Sequence, residues 1–169
     1  MSRTGRRAGR THRYGDLTAV DREFLGRAIS EARDGLEEGG IPIAAALVVD
    51  GELVGIGRNR RVQRGSVIRH GELDALEHAG RLKSSVYRSA TLYTTLSPCP
   101  MCAGAIRLYQ IPRVVIGENR TYLGDEALLQ REGVAVVVAD DPECRELLEQ
   151  FASRHPDVWA EDIGVDPLS

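Results

Sequence analysis

Residues Ala90 to Ile116, ATLYTTLSPCPMCAGAIRLYQIPRVVI, decide the fold. Ala90 to Thr95 reads as a strand, Pro98 to Leu108 as a helix with proline near its start, and Val114 to Ile116 as a short buried strand. Working outward, the same alternation continues on both sides. Upstream, Val20, Phe24, Leu25, Ala28, Ile29, Ala32 and Leu36 recur at helical spacing, which predicts a helix over Ala19 to Leu36. Thr18 and Asp21 form a capping-box pattern at its start, and Gly39-Gly40 ends it. Ile41 to Val49 and Leu53 to Ile56 are apolar runs joined through Asp50-Gly51, a two-residue signal for an antiparallel hairpin. Asn59 to Arg69 is polar and loop-like, and Gly71 to Leu82 reads as a helix. Downstream come a short helix over Glu126 to Arg131, a strand over Val134 to Ala139 and a helix over Arg145 to Ser153. A polar tail, Arg154 to Ser169, carries the only tryptophan, Trp159. Strands alternating with helices after an initial hairpin predict an α/β fold: a mixed, largely parallel sheet with helices on both faces.

Two short motifs sit at helix starts within this layout. His70-Gly71-Glu72 opens one helix, and Cys99-Pro100-Met101-Cys102 opens another. One imidazole and two thiols give zinc three protein ligands and leave the fourth tetrahedral position for water, the arrangement of a catalytic rather than a structural zinc. Cys99 and Cys102, three apart at a first helical turn, share a face, and the positive end of the helix favours the thiolate that zinc requires. Glu72 adds a carboxylate able to take protons from an activated water and deliver them to a ring nitrogen and a leaving amine. His-x-Glu followed by Pro-Cys-x-x-Cys is the signature of the zinc deaminases.

Composition narrows the partners. A chain of 169 residues with 42% apolar content supports one core-bearing domain, expected over 18–169 and closed by a C-terminal flap, behind a flexible basic tail over 1–17. The formal charge of −3 gives no electrostatic case for nucleic acid or a membrane surface, so a small substrate is expected. Arg3, Arg6, Arg7, Arg10 and Arg13 lie in a start that lacks the apolar stretch of a secretory signal. Three cysteines, two of them at ligand spacing, fit a reducing compartment, and a cytoplasmic location is expected. Cys144 reads as a small buried hydrophobe, and His12, His78 and His155 have no partner at ligand spacing.

From about Ala19 to Gly164 the chain resembles the fungal-type cytosine deaminases of the cytidine deaminase-like superfamily. The resemblance rests on HGE at His70 to Glu72, LYTTLSPCPMCAGAI at Leu92 to Ile106, IPRVVIGEN at Ile111 to Asn119 and WAEDIG at Trp159 to Gly164. The first motif and the PCPMC core belong to the whole superfamily, whereas WAEDIG and Asn59 point to the cytosine branch. The resemblance implies a three-layer α/β/α sandwich around a five-stranded mixed sheet, one zinc per subunit, a homodimer and a role in pyrimidine salvage. It further implies that Asn59 holds the base, that the Gly71 main-chain N–H meets the ring carbonyl, and that Tyr122, Trp159 and Asp162 close the pocket. An amide donor and acceptor, a carboxylate facing an amine and aromatic covers suit a flat polar ring. The chain departs from the family where Tyr122 replaces a phenylalanine, where Ala160 follows the tryptophan, in a shorter loop over Tyr122 to Leu129, and in IPIAAALVV.

Cytosine is therefore the leading candidate substrate, with uracil and ammonia as products. Isocytosine, amino-triazine rings and guanine remain alternatives, as does a tRNA adenosine, since PCPMCAGA alone fits that class. An aromatic C-terminal flap would obstruct a base still attached to sugar and backbone, which argues for a free ring. A noncatalytic zinc module is the remaining competitor. Plain readings also stand beside the pocket assignments: Asn59 as a turn residue, Trp159 as a tail anchor, Tyr122 as packing and Asp162 as an exposed acid.

Overall fold

The structure is a computed structural model that describes residues 17–166. The arginine-rich start and His12 lie outside the described residues. In chain order the elements are α1 (Ala19–Glu37), β1 (Ala44–Val49), β2 (Glu52–Arg58), α2 (Arg61–Arg64), α3 (Gly71–Ala79), α4 (Ser84–Tyr87) and β3 (Ala90–Leu96). These are followed by α5 (Pro100–Leu108), β4 (Arg113–Glu118), α6 (Glu126–Arg131), β5 (Ala135–Val138), α7 (Pro142–Arg154) and α8 (Pro156–Asp162). The five strands form one sheet in the order β2-β1-β3-β4-β5.

Each strand splits its side chains between two cores. Ala45 and Leu47, Leu92, Val114 and Ile116, and Val136 and Val138 face one layer with Ala75 and Leu76 of α3, Ala103 and Ile106 of α5 and Leu129 of α6. Their neighbours Ala46 and Val48, Tyr93, Val115 and Val137 face the opposite layer with Phe24, Leu25, Ala28 and Ile29 of α1 and Cys144 of α7. This period-two division, with helices covering both faces, gives the expected three-layer α/β/α sandwich with a five-stranded mixed sheet.

The hairpin forms as read: Asp50 and Gly51 take positive φ values of 50° and 79°, the geometry a two-residue turn demands. β1 pairs antiparallel with both β2 and β3, while β3–β4 and β4–β5 are parallel. Only β1 therefore runs against the other four strands. Thr18 and Asp21 close a reciprocal capping box on α1.

The segments read as irregular are more ordered than expected. The polar stretch after Asn59 contains α2, ended by Gly65 in the left-handed region at φ 56°. α3 stops at Ala79 rather than Leu82 because Gly80 breaks it, and α4 follows. The polar tail contains α8, with Pro156 at its first turn. Its apolar residues are too few to show helical periodicity. Val158 and Trp159 nevertheless pack with Ile41, Ile43, Leu96, Leu148 and Phe151, a third apolar cluster into which Tyr122 also fits. Among the described residues no helix is long and apolar enough to cross a membrane.

Candidate active site

Two helix starts meet at one end of the sheet. His70 caps α3 and Cys99 caps α5, both with extended backbones (φ −68°, ψ 160° and φ −67°, ψ 169°). α3 lies unusually close to the hairpin because glycines face it: a Cβ on Gly57 would overlap the backbone nitrogen of Ala75. A Cβ on Gly71 would stand 2.8 Å from Ala44 Cα, so Gly71 lets the start of α3 settle onto β1. α5 follows directly from β3. The loop before it is held where Gly124 N–H donates to Ser97 Oγ (2.9 Å) and Asp125 N–H to the Pro98 carbonyl (2.9 Å).

The potential ligand atoms of His70, Cys99 and Cys102 all lie within 4.8 Å of one another. Cys99 Sγ is 3.5 Å from His70 Nδ1, and the Cys102 thiol donates to Glu72 Oε2 at 3.3 Å. A hydrogen bond from Cys102 holds the Cys99 thiol down to about 4 against the effect of burial, with His70 helping. Cys102 is pushed up, first by its interaction with the Cys99 sulfur and then by burial. One sulfur thus sheds its proton readily, as a soft-metal ligand must. Two sulfurs and an imidazole match zinc's preferred donors, and among the described residues that set has no fourth His, Cys, Asp or Glu ligand.

Glu72 is buried beside this cluster. Burial raises its carboxyl above the usual range, and the charge on Cys99 adds to the effect. The Thr94 hydroxyl lies 3.1 Å from Glu72 Oε1 and fixes the carboxylate from the β3 side.

The C-terminal helix completes the site. Asp162 is buried, not an exposed tail acid, and its Oδ1 stands 3.6 Å from His70 Nε2. Asn59, fully buried, donates through Nδ2 to the same oxygen at 2.9 Å. For His70, burial disfavours the charged ring, but the Cys99 sulfur and the Asp162 and Glu72 carboxylates outweigh it and raise its pKa. Tyr122 lines the small cavity with Ile43, Leu96, Ser97 and Ile163. Trp159 sits one step back, edge-on to Tyr122 with ring centroids 6.5 Å apart. The cavity is about 20 Å³, space for little more than one water.

A family model of the cytidine and deoxycytidylate deaminase zinc-binding region matches residues 18–118. The chain belongs to that deaminase family. This deaminase is 48% identical over 149 residues to a cytosine deaminase of Candida albicans, covering 88% of the chain and 99% of that relative. It is 37% identical over 110 residues to a tRNA-specific adenosine deaminase of Streptococcus pyogenes, 63% of the chain and 69% of the relative. A solved structure from work on A-to-I editing by tRNA deaminases at the wobble position superposes with a TM-score of 0.63 at 30% identity, covering 75% of this chain and 99% of that one. The deaminase is a zinc-dependent hydrolase, and the donor set formed by His70, Cys99 and Cys102 fits its metal.

Five contributing residues escaped the sequence reading. Thr94 looked like an ordinary strand residue. Ser97 and Glu126 share a buried 2.7 Å hydrogen bond, and Asn119 Nδ2 donates to the same carboxylate at 3.3 Å, which pins the loop bearing Tyr122. Arg61, inside the segment read as a polar loop, is buried against the acids of α8. Its signal was one arginine among several, two residues after Asn59, and the adjacent acids Glu161 and Asp162, too far apart in sequence to pair by inspection.

Proposed function

We propose that this chain hydrolyses a free amine-bearing nucleobase, with cytosine as substrate and uracil and ammonia as products. The observation that carries the reading is Asp162, which α8 brings to hydrogen-bonding distance of Asn59 and beside His70. A match to the Candida albicans cytosine deaminase over nearly its whole length supports the same ring.

In this reading His70, Cys99 and Cys102 hold zinc. Zinc held there would lower the pKa of a bound water and so supply a nucleophile for the amine-bearing carbon. Glu72 carries a proton from that water to the ring nitrogen, then carries the second proton, from the hydroxyl left on the ring carbon, to the departing amine, so that the C–N bond breaks, the carbonyl forms and ammonia leaves as a neutral molecule. The Asp162 carboxylate accepts from the exocyclic amine, and the Asn59 amide reads the ring edge. The Gly71 N–H, at the first position of α3 where a helix leaves its donors unpaired, meets the ring carbonyl. Tyr122 and Trp159 cover the ring and exclude water. The cavity is smaller than a pyrimidine, so α8 serves as a flap that opens with the Tyr122 loop to admit the base. The domain then runs from about residue 18 to the flap.

We also infer a cytoplasmic homodimer. Three free cysteines support the compartment. Ile68, Leu108 and Tyr109, exposed around a hollow between α3 and α5 that is floored by Leu73, Leu76 and Tyr87, support self-association. Light scattering on the purified protein tests the dimer.

Ammonia release from cytosine, isocytosine, guanine, an amino-triazine, cytidine and an anticodon stem-loop bearing adenosine tests the substrate. Turnover of cytosine and inertness of cytidine and RNA is the expected pattern. Turnover confined to the RNA would favour the activity named for the Streptococcus pyogenes relative and overturn the flap argument.

A further inference from the structure

α8 carries Asp162 on a short helix near the chain's end, and one buried cation grips it. The Arg61 side chain is 7% exposed. Its Nη1 donates to Asp162 Oδ1 and to Glu161 Oε2, each at 3.1 Å, and its Nη2 donates to Glu161 Oε1 at 2.6 Å. Nε donates to the Val67 carbonyl at 3.2 Å, which fixes the guanidinium plane from the other side. The Arg61 backbone N–H donates to Asn59 Oδ1 at 3.0 Å, orienting the amide whose Nδ2 reaches Asp162. One residue therefore holds both polar side chains assigned to the base.

Two features separate this arrangement from ordinary anchoring. α8 is already held by Val158 and Trp159 in the third apolar cluster. Burying a guanidinium costs desolvation that an apolar contact would avoid, so a buried ion pair is a poor device for stability alone. Its planar fork instead imposes direction, which a flexible ammonium cannot. Among the described residues the contacts of Asp162 fall on Oδ1, so the network aligns the carboxylate while keeping Oδ2 out of it.

We propose that Arg61 is a positioning residue of the deaminase: by clamping Glu161 and Asp162 from α8 and turning Asn59, it sets how tightly an amine-bearing ring is held. This rests on the reading that Asn59 and Asp162 meet the base. Glu161 is the outer half of the clamp, with a side chain 65% exposed, and can be removed without emptying the core.

The test compares wild type with Arg61→Lys, Arg61→Ala and Glu161→Ala, measuring kcat and KM for cytosine, zinc content, thermal unfolding and hydrogen exchange of α8. Arg61→Ala is expected to raise KM about tenfold with a smaller change in kcat, with zinc retained. Arg61→Lys should fall between it and wild type, and added guanidinium ion should recover part of the Arg61→Ala loss. Glu161→Ala should raise KM about threefold at unchanged unfolding temperature, where a pair serving stability alone would leave KM untouched. Faster exchange in α8 should accompany each loss. Wild-type KM in both alanine variants, or an Arg61→Ala defect that follows zinc loss or unfolding and ignores guanidinium, overturns the proposal. A wild type inert on cytosine but active on another ring sinks the substrate reading instead, and the same KM comparison on that ring then decides the role of Arg61.

Discussion

His70 is addressed on both edges: its Nδ1 lies 3.5 Å from Cys99 Sγ, and its Nε2 lies 3.6 Å from Asp162 Oδ1. The ring thereby links the cysteine cluster at the start of α5 to the acid of the last helix. A carboxylate behind a histidine ligand fixes the tautomer and turns the other nitrogen toward the metal. The group proposed to read the substrate's amine thus also stands beside a candidate zinc ligand.

That link predicts a double phenotype for Asp162→Ala. Zinc affinity should fall by about tenfold or more, alongside activity. Competition with a chromophoric chelator measures it. Unchanged affinity would show that Asp162 serves the substrate alone.

Glu72→Gln separates metal binding from proton transfer. The amide keeps the shape and the contact to Thr94 but cannot shuttle protons. The variant should retain its zinc while kcat falls by roughly 10²- to 10⁴-fold. Near-normal turnover with metal bound would remove Glu72 from the mechanism.

The cysteines should divide by position. Cys99→Ala should lose zinc and lower the unfolding temperature, because ligand binding and folding are coupled. Cys144, packed against the sheet beside Val115 and Val137, should keep zinc when changed to alanine and lose only packing energy. Metal analysis and thermal scans of the two variants give the answer directly.

Asp21 supplies a pH signature away from the site. It accepts from Arg113 Nη1 and Nη2 at 2.7 and 2.9 Å and from the Tyr93 hydroxyl at 3.0 Å. Burial raises its pKa, but Arg113, Thr18 and Tyr93 overcome this and bring the carboxyl from 3.8 to about 2. A folded value below the unfolded one contributes stability that is present above about pH 4 and lost as pH falls toward 2. The contribution is roughly 2 kcal/mol. Urea unfolding of wild type and Asp21→Asn should differ at pH 6 and converge near pH 2. A constant difference across that range would place the effect in packing instead.

Gly57→Ala tests the close approach that sets α3. An added methyl would overlap the Ala75 and Asp74 backbone, which cannot swing aside as a side chain can. A loss of about 1–3 kcal/mol is expected, with weakened zinc binding as His70 shifts. Wild-type stability would mean that α3 tolerates displacement.

The strand–helix–strand run from Ala90 to Ile116, the capping box at Thr18 and Asp21 and the Asp50-Gly51 hairpin were all legible in the chain, because each depends on neighbours within a few residues. The zinc donor set was legible too, since Cys-x-x-Cys at a helix start and His-x-Glu at another are chemically unambiguous even before they are brought together. What the chain alone left open was the third apolar cluster and the arginine clamp. α8 has too few apolar residues to show a period, and Arg61 and Glu161 are a hundred positions apart. Their pairing arises only when β1 and β2, closely backed by α3, set Asn59 and Arg61 at the same sheet end to which α7 returns the tail. Local sequence therefore determined the elements and the metal chemistry, whereas tertiary packing decided which buried charge holds which acid, because that choice depends on distances no sequence spacing encodes.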